Sequence, residues 1–525
     1  MAELAQHPIR DITCVNELSY PYIQKIADLS SSIYRELNLG NVNFYTNTLP
    51  HRKVALLFAQ KSTRTYDSFL DAFLKLGTNR IVGMRNASES SLGKGETIFH
   101  TIDTYIGQGD GTHFIVIRSN LEGTAKWAQI AAYRSYAKKV REFAKTFQEF
   151  PRNLVLPIIF NGGDSFHNHP SQLLLDVATL NHVFKRITDF DFGDINDLGG
   201  SRVVSSHIDA AKILNWRMHF CALPGAELNQ RQKFALNQAP KYYEYKSLSK
   251  MLGNIDFLYV NRYQYNLRGE THPKKNESFF SKDHPQISLD LVAPHQLRVM
   301  HARPIDKYYK EIHPSLWDHE LDISGVQSDL GTPTRMAMCL YAIENQLFTL
   351  PGIIATTDLF KLGYYQENLN HTPKKKRVGS KYTTALINHG YVIDHIPLGC
   401  GTVMSQLIKR FFPDVTIVTS TGVQGKQNQS NIKDVIKIHT NQRWTRELTN
   451  IVGLFSNYTQ NKSCRISQFK DGIRVDKWTY KYPLIPMDSC INTNCITHGN
   501  YMEDICFRHM LISEKLVCPF CETVQ

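Results

Sequence analysis

Ser62, Thr63, Arg64 and Thr65 form a run of three hydroxyls and a guanidinium, followed by Phe69, Leu70, Phe73, Leu74 and Leu76 at helical spacing before Gly77. Hydroxyl residues at a helix start cap free N–H groups, and those same N–H groups hold an anion with help from the helix dipole. Arg64 would add a forked, charge-assisted grip on a phosphate. Taken alone, the pattern is better explained by an ordinary N-cap with a surface arginine. A second helix start shifts the balance. In LPIIFNGGDSFHNHPSQLLLDVATL a strand runs into a Gly-Gly turn, and Pro170 sits where a first-turn proline belongs. That makes His169 the N-cap and Gln172 the third helical residue. Open α/β sheets bind ligands beyond the carboxyl ends of their strands, so two such helix starts describe one anion pocket.

A different chemistry is written near the end of the chain. Cys490 and Cys495 in CINTNC, then Cys518 and Cys521 in CPFC, give C-x4-C and C-x2-C separated by 22 residues. Four thiolates so spaced can close a tetrahedral structural zinc site. A full shell of sulfur leaves no open position, so the metal would fold the tail and take no part in catalysis. The other cysteines (Cys14, Cys221, Cys339, Cys400, Cys464, Cys506) are scattered, which argues against a disulfide framework.

The elements that must position these residues read as two different rhythms. From about 50 to 350, short apolar runs (VALLF, FIVI, VLPIIF, DFLYV, RVM) alternate with amphipathic stretches, the pattern of an α/β fold with mainly parallel sheets. From about 351 to 380 the pattern lapses into GYYQENLNHTPKKKRVGSK, and PKKKRV there reads better as an exposed tether than as a targeting signal. Beyond it come strand YVIDHI, helix TVMSQLIKRFF, strands DVTIVTS and KDVIKI, helix NQRWTRELTNIVGLF and a hairpin turning at Asp471-Gly472. This is the β-α-β-β-α-β order of a ferredoxin-like unit. The expected division is 1–155 and 156–350 for two α/β subdomains, 351–380 for a linker, 381–480 for the ferredoxin-like domain and 481–525 for a small β zinc domain.

Bulk numbers bound the partners. The 525 residues carry 42% hydrophobic and 21% charged residues, with no apolar run long enough to span a bilayer and an opening that lacks the features of a secretory signal. A cytoplasmic chain is expected. A formal charge of +12 fits nucleic acid, acidic membranes or small polyanions. No groove-reading helix or aromatic stacking motif supports a zinc-ribbon nucleic-acid binder.

Read together, the segments STRT (62–65), SSLGKGET (90–97), IRSNLEG (117–123), NGGDSFHNHPSQLLLD (161–176), a Gly-Asp turn leading to GGSRVVSSH (199–207), DFLYVNRYQ (256–264) and VMHARP (299–304) resemble the catalytic chain of aspartate carbamoyltransferase. The resemblance covers about 50 to 350. It implies transfer of a carbamoyl group from carbamoyl phosphate to the amine of L-aspartate, in pyrimidine synthesis. Carbamoyl phosphate would be held by Ser62, Thr63, Arg64, Thr65 and Arg118, and its carbamoyl group met by His169 and Gln172. Aspartate would be bound by Arg202, Arg262 and Gln264. Ser91 and Lys94 match loop residues that reach a neighbouring subunit's site in this family, which implies a homo-oligomer built from trimers. Arg64, His169 and Lys94 are the implied catalytic residues. Carbamoyl phosphate is already activated, so such a site needs orientation and stabilisation of developing charge, with no protein nucleophile.

Departures from the family pattern are the HPLPR segment, here His301-Ala302-Arg303-Pro304-Ile305, and Gln60, where a glutamate commonly stands. The second removes one expected partner for closing the two domains. Ornithine carbamoyltransferase shares the phosphate loop, but its HCLP motif is absent. Residues 381–525 resemble the regulatory chain of the same enzyme, through NHGYVIDHIPLGCG (388–401), NIKDVIKI (431–438) and the cysteine pairs. This implies one structural zinc per chain and an effector site for CTP or ATP at Lys381, Asp394, His395, Lys433 and Lys437, with a further basic residue open between Arg474 and Lys477. The expectation is thus a catalytic–regulatory fusion. Its rival is a non-catalytic nucleotide-sensing assembly partner.

Overall fold

The computed structural model describes residues 10–84, 95–107, 111–151, 154–263, 280–305, 310–347, 365–367, 387–424, 432–456, 464–480, 490–498, 510–512, 515–518 and 520–524. Ser91, Lys94, Gln264, Lys381 and PKKKRV fall outside these residues. Among the described residues, no helix is long and apolar enough to cross a membrane.

The first sheet has four parallel strands: β1 (Lys53–Phe58), β2 (Arg80–Met84), β3 (Phe114–Ser119) and β4 (Ile158–Asp164), in the order β2-β1-β3-β4. β1, β3 and β4 are buried along their whole length, as apolar runs without alternation demand. Helices α1 (Tyr20–Asn38), α2 (Thr63–Lys75), α3 (Ile98–Gly107) and α4 (Thr124–Phe147) pack around it. Because β4 completes this sheet, the boundary expected at 155/156 falls too early. Gly162 and Gly163 also belong to the end of β4, and the turn comes after them, at Ser165–His167.

Helix α5 (Pro170–Phe184) leads to the second sheet of five parallel strands: β5 (Asp191–Asn196), β6 (Arg217–Ala222), β7 (Lys241–Glu244), β8 (Phe257–Val260) and β9 (Arg298–His301), ordered β7-β6-β5-β8-β9. Gly193 and Asp194, read from sequence as a turn, lie inside β5. Helices α6 (Arg202–Leu214), α7 (Gln230–Leu236), α8 (Leu248–Met251), α9 (Leu289–Val292) and α10 (Ser324–Asp329) accompany this sheet. α11 (Gly331–Leu347) then returns to α1 and α2, so the chain recrosses to the first unit before 350. One hydrophobic core runs through both sheets, from Phe58 and Phe160 to Phe192 and Tyr259.

A buried imidazolium helps join the units. His207 on α6 meets Asp194 of β5 at 2.9 Å and Asp176 of α5 at 3.2 Å, all three closed to solvent. Burial opposes its charge, but Asp194 and then Asp176 outweigh that and push its pKa up to about 9 from 6.5. A raised basic pKa contributes stability that is fully present below about pH 6.5 and is lost as pH rises through about 9. The loss is on the order of 3 kcal/mol. Thermal melts should therefore fall between pH 6.5 and 9.5, and His207→Gln should start lower and lose most of this slope. An unchanged slope in the variant would remove His207 as its source.

The third unit is an antiparallel sheet in the order β10-β15-β14-β11-β13-β12. Its strands are β10 (Tyr365–Glu367), β11 (Gly390–Pro397), β12 (Thr416–Gln424), β13 (Ile432–His439), β14 (Arg465–Lys470) and β15 (Ile473–Tyr480), with helices α12 (Gly401–Phe411) and α13 (Arg446–Phe455). β14 and β15 turn at Asp471-Gly472, both with positive φ, as the sequence predicts. The unit packs on the 24-residue α4: Arg141 Nη1 donates to the Leu454 carbonyl at 2.9 Å, and the Cys400 thiol to the Arg141 carbonyl at 3.7 Å. A final short hairpin joins β16 (Met510–Ile512) to β17 (Lys515–Val517).

Candidate active site

A cavity of about 930 Å³ opens between the two parallel sheets. Its walls are the segments after the carboxyl ends of β1, β4, β5, β8 and β9, joined by Arg118 near the end of β3 and by residues of α10 and α11. Six arginines face it (Arg64, Arg118, Arg202, Arg262, Arg303, Arg335) with Lys61, against Asp67 and Asp71. Such a lining calls for an anionic ligand.

Ser62 is the N-cap of α2 by backbone conformation, but its hydroxyl makes no capping hydrogen bond. The first turn of α2 therefore presents Ser62, Thr63, Arg64 and Thr65 to the cavity. His169 is likewise the N-cap of α5, with Pro170 next to it, again without a side-chain cap. Both helix starts foreseen in the sequence converge on one space.

The densest contacts surround the end of β4. Arg118 Nη1 donates to the Gly162 carbonyl at 2.7 Å and lies 3.3 Å from His169 Nε2. A donor there fits the tautomer with the proton on Nδ1, which sits 3.3 Å from Ser171 Oγ. His169 is held well below the ordinary histidine range by burial, then by Arg118, Arg202 and Arg335, so its imidazole is neutral. Gly163 has φ +109°, and a Cβ there would stand 2.9 Å from Arg118 Nη1, 3.2 Å from His169 Cδ2 and 3.3 Å from Arg202 Nη1. Only glycine lets these three groups meet. Burial first and Arg202 second disfavour the charged form of Arg118, and burial lowers Arg202 to about 10. An arriving anion relieves this frustration.

Gln172 donates through Nε2 to Asp176 Oδ1 at 2.9 Å, and Gln327 donates to the same oxygen. Its Oε1 is left as the acceptor for an N–H in the cavity. Arg202, the first residue of α6, donates from Nη1 to Gln60 Oε1 at 2.8 Å. The glutamine thus keeps the bridge between units that its departure from the family pattern was expected to remove, because a carbonyl oxygen accepts from a guanidinium as a carboxylate does. It does so without neutralising Arg202. Arg303, Arg335 and Gln327 were not foreseen as site residues. Arg335 is 2% exposed in the middle of TPTRMAMCL on α11, and its sequence surroundings carry no signal beyond a helix.

In the tail, the sulfurs of Cys490, Cys495, Cys518 and Cys521 lie within 4.8 Å of one another, all buried. Contacts of 3.6 Å for Cys490–Cys521 and 3.7 Å for Cys495–Cys518 suit four thiolates around one metal ion. This tail docks on the first unit. Glu122 pairs with Cys495 as a parallel bridge, and Asn492 Nδ2 donates to Glu122 Oε2 at 2.9 Å. Glu522 receives Arg231 at 2.7 Å and Asn16 at 2.9 Å, and sits 3.2 Å from His167, whose other nitrogen meets Asp164 at 2.9 Å. His167 lies in the loop that ends at His169. In the third unit, Lys433 Nζ is 2.7 Å and His395 Nδ1 3.3 Å from Asp394, and Lys437 stands on β13.

The class is defined by the first of these units. Residues 10–182 match the family described as aspartate/ornithine carbamoyltransferase, carbamoyl-P binding domain. The chain is 29% identical over 337 residues to the aspartate carbamoyltransferase catalytic subunit of Thermococcus kodakarensis, covering 63% of this chain and 95% of that one. It is 30% identical over 320 residues to the same subunit of Hyperthermus butylicus, covering 60% and 89%. The solved catalytic subunit of M. jannaschii aspartate transcarbamoylase superposes with a TM-score of 0.52 at 26% identity, covering 65% of this chain and 100% of that one. The chain belongs to the aspartate carbamoyltransferase catalytic subunit family.

Proposed function

We propose that the protein is an aspartate carbamoyltransferase, converting carbamoyl phosphate and L-aspartate to N-carbamoyl-L-aspartate and phosphate. The observation that carries this reading is the meeting of Arg118, His169 and Arg202 around Gly163, at two open helix starts in one cationic cavity. Ser62, Thr63, Arg64, Thr65 and Arg118 hold the phosphate. The Arg118 guanidinium meets the negative charge that develops on the carbonyl oxygen, beside the neutral His169 ring that it contacts, and the Gln172 Oε1 accepts from the carbamoyl NH2. The aspartate amine attacks the carbonyl carbon, the C–O bond to phosphate breaks, and the amine proton leaves with the phosphate. Arg202 and Arg262, with Gln264, hold the two carboxylates. Ornithine is disfavoured by charge: with its side-chain amine at the carbamoyl carbon, as citrulline formation requires, its α-ammonium would be turned toward the cavity's arginines.

The third unit supports a fused regulatory reading. Four of its strands run β14-β11-β13-β12 with two helices, the ferredoxin-like arrangement, and Asp394, His395, Lys433 and Lys437 gather at its β11–β13 pair as an effector site for CTP or ATP. The four-thiol cluster is a structural zinc site, one per chain. The 351–380 stretch is the linker of the fusion, and Ser91 and Lys94 complete a neighbouring site in a trimer-based assembly.

Purified protein should form carbamoyl aspartate from carbamoyl phosphate and L-aspartate, and little citrulline from ornithine. Absence of both products at saturating substrates would favour the rival, a nucleotide-sensing assembly partner.

A further inference from the structure

We propose that Arg303, positioned by Asp322, binds the side-chain carboxylate of the amino-acid substrate and sets the preference for a dicarboxylic amino acid. The inference rests on the carbamoyl-transfer reading and adds to it a residue from the HARPI segment. Three observations support it. Arg303 lies just beyond β9 and lines the cavity beside Arg262 and Ala302. Its Nη2 is 2.9 Å from Asp322 Oδ2, and the Asp322 side chain is closed to solvent. Its Nε is buried without a partner, which leaves a forked donor partly unused.

Asp322 is itself fixed. Its Oδ1 accepts from the Ser324 N–H at 2.9 Å at the start of α10, and its backbone bridges Val299 of β9. The acid therefore acts as a bracket: it takes one nitrogen of the guanidinium and orients the rest, while 35% of the Arg303 side chain remains open. Arg64 is held below the usual arginine range by burial, then by Arg303 and Arg262, so these three cations share one region of the cavity. Arg202 stands apart, beside His169 and Arg118 at Gly163. An amino acid whose amine reaches the carbamoyl carbon near His169 leaves its α-carboxylate by Arg202. Its distal carboxylate, two carbons further on, falls to Arg262 and Arg303. A planar fork makes two charge-assisted bonds to a carboxylate and only one weaker bond, to the carbonyl oxygen, with a neutral amide in the same place.

Steady-state kinetics of Arg303→Leu and Arg303→Lys, with L-aspartate and L-asparagine as acceptors, test this. Losing one charge-assisted contact should raise the KM for aspartate roughly ten- to a hundredfold in Arg303→Leu, with the KM for carbamoyl phosphate within about twofold. The preference for aspartate over asparagine should shrink by a similar factor, and succinate should lose potency as an inhibitor. Arg303→Lys should recover part of each loss by restoring the charge without the fork. An unchanged aspartate/asparagine ratio, or an equal rise in the KM for carbamoyl phosphate, overturns the assignment. Should wild-type protein make no carbamoyl aspartate, the underlying reading fails instead, and the two failures are distinct.

Discussion

Arg118→Met is expected to lower kcat/KM roughly a thousandfold, a size typical of losing one preorganised donor to developing negative charge together with the orientation of its neighbour. Methionine keeps the bulk of the stem and removes only the guanidinium. The loss has two parts. Arg118 both bonds the strand end at Gly162 and touches His169, so its removal frees the imidazole proposed to face the carbonyl oxygen. It also removes a cation whose charge the empty protein disfavours, through burial and through Arg202. That second part has an inverse consequence for stability. Without ligand the variant should melt within a few degrees of wild type, or above it, because a buried and incompletely paired cation is gone. Added phosphate or carbamoyl phosphate should stabilise wild type and leave the variant where it was. Activity within tenfold of wild type, or an equal shift of both proteins by phosphate, would be evidence against Arg118 as an anion ligand.

How far this site could be read in the chain depends on how local each feature is. The N-cap at His169 with Pro170, the start of α2 at Thr63 and the hairpin at Asp471-Gly472 are fixed by residues within a few positions of one another, and all stand where expected. Gln60 and Arg202 are 142 positions apart, and their hydrogen bond exists only because two sheets face each other. Arg335 reaches the cavity because α11 doubles back across the first unit, a path no periodicity encodes. The boundary at 155/156 failed for a related reason. A parallel strand pairs with a neighbour far away in sequence, so nothing near 155 tells that Ile158–Asp164 belongs to the sheet before it. Neither the 24-residue length of α4 nor its second face, on which the third unit rests, has a local signature.

On the proposed zinc reading, Cys495→Ser should release the tail and lower the bound metal from one equivalent per chain to almost none. A structural zinc contributes on the order of 10 kcal/mol of apparent binding energy to the fold that surrounds it, and three thiolates hold it far less well than four. The effect should reach the catalytic units through Glu522, which stands one residue beyond Cys521, bound to Arg231 and in contact with His167. Once Glu522 leaves, Arg231 keeps Asp209 but loses one of its acids, and His167 keeps Asp164 but loses its contact with Glu522. The Ser165–His169 loop should then exchange its amide hydrogens faster, with kcat falling severalfold through the looser seat of His169. Gly123→Ala separates docking from metal binding. Gly123 has φ +78°, and a Cβ there would come 2.6 Å from the Phe520 Cβ and 2.8 Å from its backbone, too close to be absorbed by a rotamer change. This variant should keep its metal, lose protection in the same loop and show the same severalfold fall in kcat. Retained metal in Cys495→Ser would remove the cluster as the site, and full loop protection in Gly123→Ala would show that the tail plays no part in holding His169.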